Sequence, residues 1–296
     1  MCRSGSFNDW KANMSSIRQE QQGGLGSTNV QIHKVDLHQG VSVDEAHQIA
    51  RSVFEANFWR VHDTARQVAN ERAAEMREQI ISDLARQGPE ALDQLNDPDR
   101  QVAFYEAQKS YALTGDQDLK ALLSRMVIEI AAERGRTLRS IVLKEAVTIL
   151  PKLTANQMKI LALKYLVRGV IFKHSNSVSE LVKPLYIMTA PFLAELRFDS
   201  IQFRHLIYTG CGESSIVDIL HIAVDLRRMY PKLFSKMKED EVSAALLAAE
   251  PRLAPLVQVW NESAIGGLRL TSVGLLIAET FVSKRSNVSI EPEVWA

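Results

Sequence analysis

The sequence is poor in the features that mark several common protein classes. Its two cysteines, Cys2 and Cys211, are far apart and cannot form a disulfide framework or, without other ligands, a zinc site. The 14 glycines and 9 prolines are few for 296 residues and disfavour a turn-dense β-sandwich or barrel. Arg269 and Glu279 interrupt the most apolar stretch, residues 264–282. We therefore expect a soluble, reduced, cytoplasmic protein without a membrane span.

Motifs that bind metals or nucleotides are also missing. The seven histidines show neither the His-x-x-x-His nor the His-Glu-x-x-His spacing, and no Cys-x-x-Cys occurs. The run Gly23-Gly24-Leu25-Gly26 lacks the preceding strand and following helix that a phosphate-binding loop requires. We expect no metal and no cofactor.

What the sequence does contain is helical periodicity. A capping-box pattern, Ser42-Val43-Asp44-Glu45, precedes apolar residues spaced three and four apart. No glycine or proline interrupts residues 43–87, and one helix of that length would span roughly 65 Å. Further capping boxes begin at Thr154 and Ser177, and Pro184 is expected to break or kink the helix that follows. The prediction is an all-α protein: an irregular multi-helix array with one very long N-terminal helix and a short isolated β-strand before it.

Composition and charge divide the chain into five regions. We predict a disordered tail (1–28), the strand (29–36), an acidic region with the long helix (42–134), a C-terminal helical region (135–286) and a tail (287–296). Residues 43–133 hold 17 acidic and 10 basic side chains, a net charge of −7. Residues 134–173 hold nine basic side chains and one acidic, a net charge of +8. Such segregation is typical of complementary packing or of an interaction surface.

The strand and the long helix suggest self-association. Val30 and Ile32 alternate with polar neighbours, and a lone strand leaves backbone groups for another copy to pair. Phe54, Phe58 and Val61 follow on the helix at interface-like spacing. We predict a homo-oligomer formed through these five residues. The alternative is that the strand pairs with the extended tail near Val288 to Ile290, which would permit a monomer. A further, unidentified protein partner is also compatible with the sequence.

Cys211 is the best candidate for chemical reactivity. Gly210 and Gly212 flank it and could expose the thiol on a tight turn, with His205 or His221 as a base. The favoured alternative is that the two glycines end one helix and admit the next, with Cys211 as a small buried side chain.

The basic segment 134–173 could bind nucleic acid. Its candidate residues are Lys159, Lys164, Arg168 and Lys173, but helical geometry does not place them on one face. A solvated or internally paired surface is the favoured interpretation.

Gly274 lies inside a helical pattern, where glycine costs about 1 kcal/mol relative to alanine. We expect the close approach of another helix to explain it.

Several motifs resemble those of a family of uncharacterised bacterial proteins. They are the Gly40–Glu45 run with the helix pattern after it, Asp97–Gln108 followed by Gly115-Asp116, and Leu270-Thr271-x-x-Gly274-x-x-Ile277-Ala278. The last is similar to a signature of helical abortive-infection proteins. The resemblance implies a bacterial origin and a setting among mobile-element or phage-defence genes.

Together these observations predict a non-catalytic, homo-oligomeric helical sensor, adaptor or scaffold. The alternatives are a helical enzyme that uses Cys211 as its nucleophile, and a nucleic-acid-binding module through residues 134–173.

Overall fold

The structure, a computed structural model, describes residues 43–172, 175–214 and 220–286. The side chains of residues 43–46, 54, 56–60, 89 and 286 are also outside this description. The predicted strand with Val30 and Ile32, both predicted tails, and Lys173 therefore lie outside the described residues, as do the side chains of Phe54 and Phe58.

The described residues form an almost entirely helical protein, which confirms the predicted all-α class. The helices are α1 (Val43–Gln87), α2 (Pro89–Asp93), α3 (Pro98–Thr114), α4 (Gln117–Ala132), α5 (Leu138–Ile149), α6 (Ala155–Arg168), α7 (Val178–Leu193), α8 (Ser200–Tyr208), α9 (Ile222–Met229), α10 (Pro231–Phe234), α11 (Glu239–Ala249), α12 (Ala254–Glu262) and α13 (Ser272–Ser286). Short 3-10 turns cover Gln94–Asn96, Leu150–Lys152 and Pro251–Leu253.

Side-chain caps explain where several helices begin. The Asp97 and Asp116 carboxylates accept bonds from backbone N–H groups in the first turns of α3 and α4. At α6 the predicted capping box is present, because Thr154 and Gln157 each satisfy the other's backbone N–H. Ser177 accepts from the backbone N–H of Glu180 at the start of α7.

Helix α7 differs from the expectation of a break at Pro184. It continues through both Pro184 and Pro191, although each proline removes one backbone donor. Within the helix, the Thr189 hydroxyl also donates to the Leu185 carbonyl at 2.7 Å.

A small sheet was not predicted. Strand β1 (Gly212–Ser214) pairs antiparallel with β2 (Leu268–Leu270), so that Gly212 lies opposite Leu270 and Ser214 opposite Leu268. Each strand is three residues long, too short to show a period-two pattern.

The chain divides into two compact units, with the boundary inside α1 between Arg60 and Val61. In the second unit, α6 packs most extensively against α13 and also against α7 and α9. Residues Ile160–Val167 of α6 are all buried. The last turns of α1 join this core through Met76, Ile80 and Leu84, which are fully buried.

Candidate functional site

A buried ion pair lies beside the middle of α6. The Lys164 ammonium donates to Asp225 Oδ2 at 3.0 Å and to the Gly266 carbonyl at 2.8 Å. Trp260 Nε1 donates to the same carboxylate oxygen at 3.2 Å, and Arg168 pairs with the other oxygen. Asp225 is completely buried, so these donors replace its lost hydration.

Burial and the neighbouring carboxylate act in opposite directions on the pKa of Lys164, and the net effect is a lowered pKa. Burial lowers the pKa of Lys164, while the Asp225 carboxylate opposes that shift. The ammonium also lies 4.9 Å from the centroid of the Trp260 ring, at cation–π distance. One carboxylate thus serves two cations, which leaves an excess of positive charge.

The two cations border a cavity of about 620 Å³. This volume is within the range of small-molecule binding sites. Its wall includes Lys164 and Arg168 from α6, Arg228 from α9 and Arg269 from β2. Among the described residues, none that lines the cavity is acidic. Apolar side chains complete the wall: Leu220, Val224, Leu268, Leu270 and Leu275.

The Tyr165 hydroxyl is a second unusual group of this cavity. Tyr165 lines it and is 1% exposed, yet its hydroxyl has no hydrogen-bond partner among the described residues. Burial, helped by the charge of Glu279, raises the pKa of Tyr165. The phenol therefore stays protonated and can donate a hydrogen bond.

The turn around Cys211 is packed against the start of α13. The Thr271 hydroxyl donates to the Gly210 carbonyl at 2.6 Å, and the Thr271 N–H donates to the Cys211 carbonyl at 3.2 Å. A Cβ on Gly274 would collide with the Cys211 carbonyl oxygen. The close approach expected at Gly274 is present, but a turn makes it and not another helix.

The surroundings of Cys211 are those of a core residue. Its side chain is fully buried, and burial raises the pKa of the thiol. A nucleophilic cysteine needs the opposite shift, since the thiolate is the reactive form.

The two candidate bases are engaged elsewhere or exposed. Nδ1 of His205 lies 2.9 Å from Nε2 of Gln157. His221 is exposed at the residue before α9.

The candidate nucleic-acid residues face different surroundings. Lys159 donates to the Ala194 carbonyl at 2.7 Å, Lys164 is buried, and Arg168 pairs with Asp225. These three thus each have a different partner within the chain.

Helix α1 presents the described part of the predicted interaction surface. Val61 is 63% exposed, and Ile49, Val53 and Val68 on the same helix are also exposed. Every described side chain from residue 47 to residue 68 is exposed.

Sequence reasoning missed Asp225, Trp260, Tyr165, Arg228 and Arg269. The available signal was an acidic residue between apolar neighbours, Val224-Asp225-Leu226, since a carboxylate there needs a cation. Nothing in the sequence indicated which cation, because Lys164 precedes it by 61 residues.

Two other kinds of site are absent from the described residues. No helix there is both long and apolar enough to cross a membrane. No group of three or more His, Cys, Asp and Glu side chains there is arranged to hold a metal ion.

Comparison with known proteins gives one informative result. No significant match is found among curated proteins or among solved structures. A family model with the bare description “:-like”, which states no activity, matches residues 40–237 and 234–296. Because these matches span far more than half of the sequence, the chain belongs to this uncharacterised family.

Proposed function

We propose that the chain is a non-catalytic, homo-oligomeric helical protein that acts by binding, as a sensor, adaptor or scaffold. The observation that carries the proposal is the exposed apolar face of α1. Ile49, Val53 and Val61 are 55%, 53% and 63% exposed. Apolar residues repeated along a helix and left in water favour a partner helix.

The order of residues along α1 supports a second copy as that partner. Apolar residues lie at mirror positions about Asn57: Val53 with Val61, Ile49 with Ala65, and Ala46 with Val68. A two-fold symmetric pair of antiparallel helices brings mirror positions together. The pattern therefore favours an antiparallel pair of α1 helices that cross near residue 57.

Light scattering on apolar-face variants tests the pairing. The variant Val53→Glu/Val61→Glu should be monomeric at tens of micromolar, where the wild-type chain is dimeric or larger. Ser52→Glu, which adds a carboxylate at an exposed residue outside the apolar pattern, is the matched control and should behave as wild type. A monomeric wild-type chain at that concentration would contradict the proposal.

The cellular part of the proposal rests on the resemblance of the sequence motifs. We infer a cytoplasmic protein of bacteria that takes part in anti-phage defence. Expression in a phage-sensitive bacterium should lower plaque formation, and the Val53→Glu/Val61→Glu variant should lose that protection. Unchanged plaque numbers against a broad phage panel would count against the defence role but not against self-association.

A further inference from the structure

We infer that the cavity between α6, α9 and β2 binds a small organic phosphate of nucleotide size. Three elements far apart in sequence each bring a basic side chain to this cavity: Arg168, Arg228 and Arg269. Guanidinium groups match the geometry of phosphate oxygens and can bind them with two parallel hydrogen bonds. Three basic side chains that meet at one cavity form a more specific arrangement than charges scattered over a surface.

The balance of charge favours a ligand with at least two negative charges. Lys164 and Arg168 share Asp225, and the described residues give Arg228 and Arg269 no ion pair. Glu213 is the cross-strand neighbour of Arg269 and is exposed, but no ion pair joins the two. The cavity thus carries more positive charge than one carboxylate neutralises. A phosphate monoester or diphosphate supplies the missing charge.

Tyr165 gives independent support for a polar ligand. Buried hydroxyls nearly always have a hydrogen-bond partner, and this one has none among the described residues. Its raised pKa, to which the nearby Glu279 carboxylate contributes, keeps the proton on the phenol. Because Tyr165 lines the cavity, a small movement of its side chain would let the hydroxyl donate to a phosphate oxygen there.

The apolar wall indicates that the phosphate is attached to a larger group. Leucine and valine side chains face the basic ones across the same space, and inorganic phosphate would leave that wall without contact. A volume of about 620 Å³ accommodates a mononucleotide. We therefore expect the order of affinity ADP, then AMP, then inorganic phosphate, with no binding of uncharged adenosine.

Isothermal titration calorimetry on the full chain tests this order directly. Arg228→Glu should weaken ADP binding at least tenfold. Lys152→Glu, which reverses an exposed charge of the same basic segment outside the cavity, should change it less than twofold. No binding of ADP or AMP at 1 mM would overturn the proposal, as would equal binding of adenosine or an equal loss in Lys152→Glu.

Tyr165→Phe separates binding from folding. A hydrogen bond to a charged group is worth enough that its loss should weaken ADP binding about tenfold. The melting temperature of the free protein should stay the same or rise, because the hydroxyl has no partner to lose. Undiminished ADP binding, or a lowered melting temperature, would contradict this role for Tyr165.

Two controls separate this site from other functions. The titration repeated on Val53→Glu/Val61→Glu should give the same ADP affinity, since neither residue lines the cavity. Generic single-stranded RNA should not compete with ADP. Competition by RNA with a steep dependence on salt would replace the small-ligand proposal with a nucleic-acid interface.

Discussion

Helix α6 and residues 47–68 of α1 both carry apolar side chains, but the structure places them in opposite surroundings. In α6 the residues from Ile160 to Val167 are buried, including the charged Lys164. In α1 every described side chain of residues 47–68 is exposed, including Val53 and Val61. Apolar periodicity therefore shows that a helix face favours a partner. It does not show whether the partner belongs to the same chain.

The difference gives each helix a distinct response to substitution. Changes around α6 should lower the free energy of unfolding, because they disturb a closely packed interior. Matched changes on residues 47–68 of α1 should leave folding nearly unchanged. The four predictions below use this contrast, from the largest expected effect to the smallest.

The largest effect should come from Asp225→Ala. It leaves the buried Lys164 ammonium without its carboxylate, and breaking a buried pair in this way costs about 3–5 kcal/mol. Chemical denaturation should show this loss, whereas Asp63→Ala, at an exposed carboxylate of α1, should change stability by less than about 0.5 kcal/mol. The double variant Lys164→Met/Asp225→Leu should recover part of the loss. If Asp225→Ala and Asp63→Ala lowered stability equally, the contrast between the surroundings of α6 and those of residues 47–68 would be wrong.

Gly274→Leu should have the next largest effect. Its side chain would collide with the Cys211 carbonyl, and overpacking of this kind costs about 1–3 kcal/mol. The matched change Asn70→Leu, at an exposed residue of α1, should not lower stability, since leucine is a better helix former than asparagine. A melting temperature of Gly274→Leu at or above that of wild type would disprove the close contact.

Cys211→Ser should cost about 1 kcal/mol, since it places a hydroxyl in a fully buried position near Thr209. In the folded protein, iodoacetamide should label Cys211 slowly at neutral pH, because the thiol is covered and its pKa is raised. Denaturant should accelerate labelling strongly. Rapid labelling of the native protein, or loss of a cellular phenotype in a Cys211→Ser variant of normal stability, would instead favour the enzyme alternative.

Lys284→Ala should have the smallest effect. Lys284 donates to Asp118 Oδ1 at 2.6 Å, but the Asp118 side chain is 60% exposed, so the loss should be below about 1 kcal/mol. The hydrogen bond from Lys284 lowers the pKa of Asp118, so the stabilisation is present at neutral pH. It should disappear as the pH falls below about 4 and Asp118 takes up a proton. A difference between wild type and variant that is independent of pH would contradict this assignment.

Helix positions could be predicted from the sequence because they depend on neighbouring residues. Thr154 and Gln157 lie three residues apart, and their reciprocal bonds begin α6 where the capping-box pattern indicates. Helix α7 is a counterexample, since it continues through Pro184 because the surrounding helices hold it in place. Local preference at that residue is outweighed by packing.

The cavity could not be predicted because its parts are distant in sequence. Lys164, Asp225 and Gly266 meet only after α6, α9 and the segment before β2 have packed together. Helical periodicity also places Lys164 among the basic residues of a surface segment, although the structure buries it. A buried charge can be recognised only when the residue that pairs with it is also known.

The packing of α13 against α6 has a consequence for synthesis of the chain. Helix α6 ends at Arg168, but the helix that covers it most extensively is completed only at Ser286. At a synthesis rate of about 5–20 residues per second, this interval lasts roughly 6–24 s. During that time the apolar residues of α6 are without their main cover, which makes the emerging chain a natural client for a chaperone at the ribosome.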